Sequence, residues 1–387
     1  MQIGRLAPAA LIAVVLADAL LRFLPIEWLA FRAWEPMILK QRPTTPFEPN
    51  RFYHNDRAFG DLANMGNRPD LREFHPETFT TDEFGFRNPP NLATTPPPCA
   101  ILVGSSFSGG CGVSDNDTLA VQLSQRIGCR VYNAAATSCD LDLIRAVAKR
   151  LQMPSGVVLF EVTERNRVPR VPTPGKLEPI QRFWRAFLAS PTVGTLSGEW
   201  RSLKTSRLKI LTERAYRLFQ NDRFLPRVTP RHVACRSLRN GEPMLFLADH
   251  LTLAQRNRDV ERAGAYWSWL AEELKQDHLS LLVFLLPEKY TAYQHLLREA
   301  PAPSPTDKSF LGQIEDQLRG RGVPVVNLEP VLRRRAEQDL ERGAYLYRRD
   351  DSHWNERGIV LAAEAIAEGW RQAALPEGKS PRGNIAP

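Results

Sequence analysis

The chain has 387 residues, 43% of them hydrophobic, enough to bury one large core or two modest ones. Its 51 basic and 43 acidic residues give a net +8, yet residues 201–239 alone hold eleven basic residues against Glu213 and Asp222, so the remainder is close to neutral. That stretch does not interleave aromatic with basic residues as a single-strand binder does, so nucleic acid is excluded as the expected partner. An acidic polysaccharide, lipid headgroups or plain solvent would each suit such a face.

The five cysteines, Cys99, Cys111, Cys129, Cys139 and Cys235, form no CxxC pair and no His/Cys cluster with zinc spacing, so neither a metal nor another cofactor is expected. In an oxidising compartment they allow one or two disulfides, whose pairing the sequence leaves open.

Residues 1–30 read as an export segment. Arg5 precedes an apolar stretch, 6–24, interrupted by Asp18 and Arg22. Ala17-Asp18-Ala19 fits a small-x-small cleavage site, so a removed signal peptide and an uncleaved signal anchor both suit it. Trp28 would sit well at the outer membrane interface. Either way the protein is expected at the periplasmic or extracellular face, with membrane contact through this segment.

Residues 40–98, rich in Pro, Asn and Asp, read as an extended lead-in closed by Pro96-Pro97-Pro98. The apolar run 99–104 is expected to be a parallel strand buried on both faces. Helical spacing over 118–127, with Leu119, Val121, Leu123 and Ile127 inward, ends at Gly128. A second strand is predicted at 130–135, a helix capped by Asp140 at 141–151, and a third strand at 156–162. Pro169, Pro172 and Pro174 then open 167–250, read as a basic helical insertion. Alternation resumes with a helix over 253–275, a strand at 281–286, helices at 293–298 and 310–319, a strand at 323–328 and a helix at 356–370. The tail, 376–387, is expected to be disordered. Strands alternating with helices at this length predict an α/β fold, a three-layer doubly wound parallel sheet formed by 99–166 and 251–375.

Two short stretches carry the chemistry. Gly104-Ser105-Ser106-Phe107-Ser108 places serines on a turn after the first predicted strand, with the following helix expected to aim its N–H groups at the same spot. Asp351-Ser352-His353-Trp354-Asn355 supplies an acid and a histidine two residues apart. Together they hold the parts of a nucleophilic acyl-transfer site: Ser106 as nucleophile, His353 as base, Asp351 to orient the imidazole. Ser105 and Ser108 are rivals for the first role.

At these residues the chain resembles the SGNH (GDSL) hydrolase superfamily. Gly104-Ser105-Ser106-Phe107 looks like its Gly-Asp-Ser-Phe block, with Ser105 in place of the aspartate. Asp351-Ser352-His353-Trp354-Asn355 with Gly358 looks like its C-terminal Asp/His block, and because the wider superfamily spaces its acid three residues before the histidine, the resemblance also makes Asp350 a rival to Asp351. Phe84-Gly85-Phe86-Arg87-Asn88-Pro89 resembles a segment common ahead of the first block in secreted members. Glu161-Val162-Thr163-Glu164-Arg165 and Pro287-Glu288-Lys289, with Tyr293 beyond, are similar to segments of the alginate O-acetylation proteins. There the acid/histidine block precedes the serine; here the motifs stand in cyclically shifted order.

The resemblance implies an oxyanion hole at Asn133 and Ala135, the latter through its N–H, with Arg165 substituting for the missing asparagine of the third block or else pairing with Glu161 or Glu164. It also implies a substrate-binding role for Lys289. The function implied is exported, serine-dependent acetyl transfer to or from a polysaccharide, with a membrane-bound acetyl donor protein as a partner. A secreted SGNH esterase or deacetylase and an inactive glycan-binding scaffold are the alternatives.

Overall fold

The structure, a computed structural model, describes residues 3–24, 46–66, 68–90, 96–135, 140–165, 169–172, 207–208, 211–212, 232–255, 259–299 and 308–374. The chain divides into two compact units, Met1–Ile38 with Val171–Val228, and Leu39–Arg170 with Thr229–Pro387. In the first, α1 (Ile3–Leu21) leaves Ile12, Val14, Leu16 and Leu20 exposed. Among the described residues no helix is long and apolar enough to cross a membrane, so the expected anchor gains no support here. Most of the basic stretch and the tail after residue 374 lie outside the described residues.

The second unit is built on five strands: β3 (Ala100–Val103), β4 (Val131–Asn133), β5 (Gly156–Thr163), β8 (Leu279–Leu286) and β9 (Val325–Asn327). All pair in parallel, in the order β4-β3-β5-β8-β9. Alternate residues of each central strand feed opposite faces, as the period of two requires. Leu102, Leu159, Leu282 and Phe284 face one layer, with α3 (Leu119–Ile127), α8 (Glu329–Asp339) and α9 (Glu356–Ala374). Ile101, Val158, Phe160 and Val283 face the other, with α4 (Leu141–Arg150), α5 (Val260–Gln276) and α7 (Phe310–Gly320). Because both faces are covered, the strands are continuously apolar, which made them legible.

Local signals place several ends. Gly128 closes α3 at φ +79°, and the Asp140 side chain accepts the Leu143 N–H to start α4. Cys99 at the foot of β3 is bridged to Cys129, which precedes β4.

Three expectations are revised. The lead-in is partly a sheet of its own: β1 (Phe52–Ala58) pairs antiparallel with β2 (His75–Thr80), and the short helix α2 (Asp61–Met65) lies between them. The stretch expected to be helical up to His250 ends in an antiparallel pair, β6 (Val233–Ser237) with β7 (Pro243–Leu247). Helix α8 was not anticipated: Leu332 and Ala336 are its buried apolar residues, in a sequence otherwise dense with charge. A five-residue helix, α6 (Lys289–Tyr293), follows β8 directly.

Candidate active site

The serine turn leaves the sheet beside the point where strand order reverses, between β3 and β5, the edge at which open α/β sheets hold ligands. Gly104 passes so close to β5 that a Cβ there would lie 2.6 Å from Glu161 Cβ, so only glycine fits. Glu161, 1% exposed, accepts the backbone N–H groups of Ser105 and Ser108 at 3.1 and 2.8 Å, and both of their hydroxyls. Charge-assisted bonds of this kind are the strong ones, and four of them pin the turn. Buried Arg87 braces the far side, donating to the carbonyls of Gly110, Val113 and Thr78 and pairing with Asp115. Helix α3 begins at Leu119, within a residue of its expected start, and between it and the serine residues 106–112 form a turn, closed by Cys111 N–H to Ser106 O at 3.0 Å.

The acid and histidine sit on the loop before α9, stitched by an antiparallel bridge between Tyr347 and Trp354. Buried Lys289 donates to the carbonyls of Arg348, Arg349 and Asp351 at 2.7, 3.0 and 2.9 Å. Burial lowers its ammonium pKa to about 8, against the pull of Asp350 and Asp351. The lead-in grips the same loop. The Gly60 and Glu73 N–H groups donate to Asp350 Oδ2, and Asp61 accepts both the N–H and the hydroxyl of Ser352. Burial raises the Asp350 carboxyl to about 6.

These two halves meet. Ser106 Oγ lies 2.7 Å from His353 Nε2, and His353 Nδ1 lies 2.7 Å from Asp351 Oδ1, which also accepts the His353 N–H at 2.9 Å. With the ring proton held on Nδ1 by the carboxylate, Nε2 offers its lone pair to the serine hydroxyl. Phe107 packs on the imidazole at 4.9 Å between ring centroids, and Trp354 donates to Phe107 O at 3.3 Å. On its other side Ser106 faces Arg165, whose Nη2 donates to Oγ at 3.4 Å. Arg165 pairs with Glu288, Nε to Oε1 at 3.3 Å, and not with Glu161 or Glu164. His250 approaches the second Glu288 oxygen at 3.3 Å.

The remaining sequence candidates fall elsewhere. Ser105 and Ser108 give their hydroxyls to Glu161, and Asp350 is held by the lead-in, so Ser106 and Asp351 are the members that face His353. Asn133 is 1% exposed; its amide donates to Ser108 O at 3.1 Å and its oxygen accepts the Ala135 N–H at 3.0 Å. Both residues thus brace the turn from behind. Lys289 is committed to loop carbonyls rather than directed at Ser106. Asp61, Asp351 and His353 present three ligand atoms within 4.8 Å of one another, but each carboxylate there already receives loop or imidazole hydrogens.

Sequence reading missed Asp61, Glu161 as an anchor, His250 and Glu288. The Glu288 position was visible only as the middle of the Pro287-Glu288-Lys289 segment.

Fold and site together have the form of a three-layered α/β domain consistent with an SGNH hydrolase-like fold. Residues 239–384 match the family model described as SGNH hydrolase-like domain, acetyltransferase AlgX, so over this C-terminal part the chain is similar to that AlgX-like domain. The matched residues include His250, Glu288, Lys289, Asp351 and His353; Ser106 and Arg165 lie outside them. No curated protein matches the chain.

Proposed function

We propose that this protein transfers acetyl groups to a polysaccharide through an ester on Ser106. What carries the reading is the 2.7 Å approach of Ser106 Oγ to His353 Nε2, with Asp351 on the opposite ring nitrogen. Oγ attacks the acyl carbon of an ester donor while His353 takes the hydroxyl proton, giving a tetrahedral oxyanion. Asp351 steadies the imidazolium. Collapse expels the donor alcohol, which recovers the proton from His353, and leaves acetyl-Ser106. A sugar hydroxyl then attacks, giving its proton to His353, and Ser106 departs as the free alcohol after reprotonation.

The oxyanion forms on the side of the serine where Arg165 stands. A fixed positive charge there takes the part of the donor that the superfamily draws from asparagine, and one such donor is worth roughly 3 kcal/mol of transition-state stabilisation. Ala135 and Asn133 contribute by holding the turn. The match to an acetyltransferase domain supports an acyl acceptor other than water, and the basic composition of residues 201–239 suits an anionic glycan. The Cys99–Cys129 bridge supports an oxidising, exported location, reached through the N-terminal segment.

The test supplies the purified protein with an activated acetyl ester, with and without acidic oligosaccharide. Acetylated sugar and an intact-mass gain on Ser106 are expected, and Ser106→Ala should lose roughly 10⁴-fold or more of turnover. Free acetate alone, unaffected by sugar, would assign an esterase instead. Activity surviving in Ser106→Ala would refute the reading.

A further inference from the structure

Ser106 touches two buried charge relays, and only the one through His353 and Asp351 is used above. The other runs from Ser106 to Arg165, Glu288 and His250, with contacts of 3.4, 3.3 and 3.3 Å. Arg165 comes from the turn after β5, Glu288 from the end of β8 and His250 from the 3-10 segment after β7. Arg165 and His250, from two separate elements, therefore converge on the carboxylate of Glu288, which stands on a third. Glu288 is fully enclosed, 0% exposed, while Arg165 keeps about a quarter of its side chain exposed. A carboxylate buried in that way costs stability unless its charge does work, because desolvation is opposed only by its partners. A neutral residue of the same size would fill the space more cheaply.

We propose that Glu288 is a positioning residue for acyl transfer: it fixes the Arg165 guanidinium beside Ser106 Oγ, with His250 steadying the other carboxylate oxygen. The assignment rests on the acyl-serine reading and deepens it. Phe107 supplies the second constraint, lying 5.3 Å from Arg165 Cζ, so the guanidinium is held by a charge at its base and a ring against its face. Arg165 then meets the developing oxyanion without reorganising.

The groups facing Glu288 are Arg165 and Glu164 at the end of β5, Glu161 within it, His250, and Tyr347 from the loop before α9. Burial raises the Glu288 carboxyl to about 7, with the nearby glutamates adding to the shift and Arg165 opposing it. Protonation below about pH 7 thus releases Arg165.

The full chain is assayed with an activated acetyl ester as wild type, Glu288→Gln, Glu288→Asp, Arg165→Gln and the Arg165→Gln/Glu288→Asp double variant. Glu288→Gln should lower kcat at least tenfold with KM within twofold and no loss of Tm, and its rate should lose the component that titrates near pH 7. Glu288→Asp keeps the charge and should retain more activity. In the Arg165→Gln background, Glu288→Asp should have no further effect. Wild-type kcat in Glu288→Gln, or an equal Glu288→Asp effect in both backgrounds, overturns the proposal. Should Glu288→Gln fail to fold, the Glu288→Asp cycle decides alone. Failure of the underlying reading has a different signature: Ser106→Ala keeps activity and Ser106 is never acetylated.

Discussion

Asp61 holds Ser352 through both carboxylate oxygens, Oδ1 to the N–H at 2.7 Å and Oδ2 to the hydroxyl at 2.6 Å. In return the Asp61 N–H donates to Asp351 Oδ2 at 3.1 Å. The residue between the acid and the histidine is thereby clamped, and with it the pitch of the imidazole relative to its carboxylate. Gly60 allows this approach: a Cβ there would fall 2.0 Å from Asp350 O.

Asp61→Asn leaves the backbone bond to Asp351 but weakens the grip on Ser352. Hydrogen bonds to a charged group contribute about 1.5–3 kcal/mol, so the expected loss is roughly tenfold or more in kcat, with KM little changed. Steady-state kinetics beside a thermal melt would check this; a variant with normal kcat would show that the clamp is dispensable.

Lys289→Met removes three donors from buried carbonyls without leaving a large cavity. Each unsatisfied acceptor is costly, and the expected fall in stability is about 2–4 kcal/mol, with kcat reduced because Asp351 loses its support. Urea unfolding measures the first effect and turnover the second. Raised KM with unchanged kcat would instead point to direct substrate contact by Lys289.

Gly104→Ala should destabilise by about 1–3 kcal/mol, since its Cβ would press on both Glu161 and Ser108 Oγ at 2.6 Å. Gly109→Ala, whose Cβ would meet nothing nearer than 3.4 Å, should cost far less. Equal melting temperatures for the two variants would contradict the close packing of β3 on β5.

Asp350 has its carboxyl raised from 3.8 to about 6, mainly by burial. Between those values the native state binds more protons than the unfolded chain. Its contribution to stability therefore falls as pH rises from about 4 to 6. Asp350→Asn should flatten that part of the stability curve, measured by denaturant unfolding at pH 4, 5, 6 and 7. An unchanged curve would mean that Asp350 is ionised throughout.

The sheet was readable because β3, β5 and β8 are buried on both faces, leaving runs such as Leu281-Leu282-Val283-Phe284 with no polar interruption. Asp351 and His353 were readable because five consecutive residues hold both. Asp61, Glu73, His250 and Glu288 carry no local pattern; the Asp61 role depends on a partner 291 positions away. Strands β1 and β2 hid among prolines and polar residues, and β6 and β7 hid in a basic stretch whose charge suggested a helical face. Asn133, expected near the oxyanion, instead turns inward because Ser108 O and the Ala135 N–H need partners under the turn.

His353 is joined to the chain 247 residues after Ser106, once all five strands of the main sheet have been synthesised. Until then the emerging polypeptide holds Ser106 without the imidazole that faces it, so the pair comes together only when the loop before the last helix folds back against the serine turn.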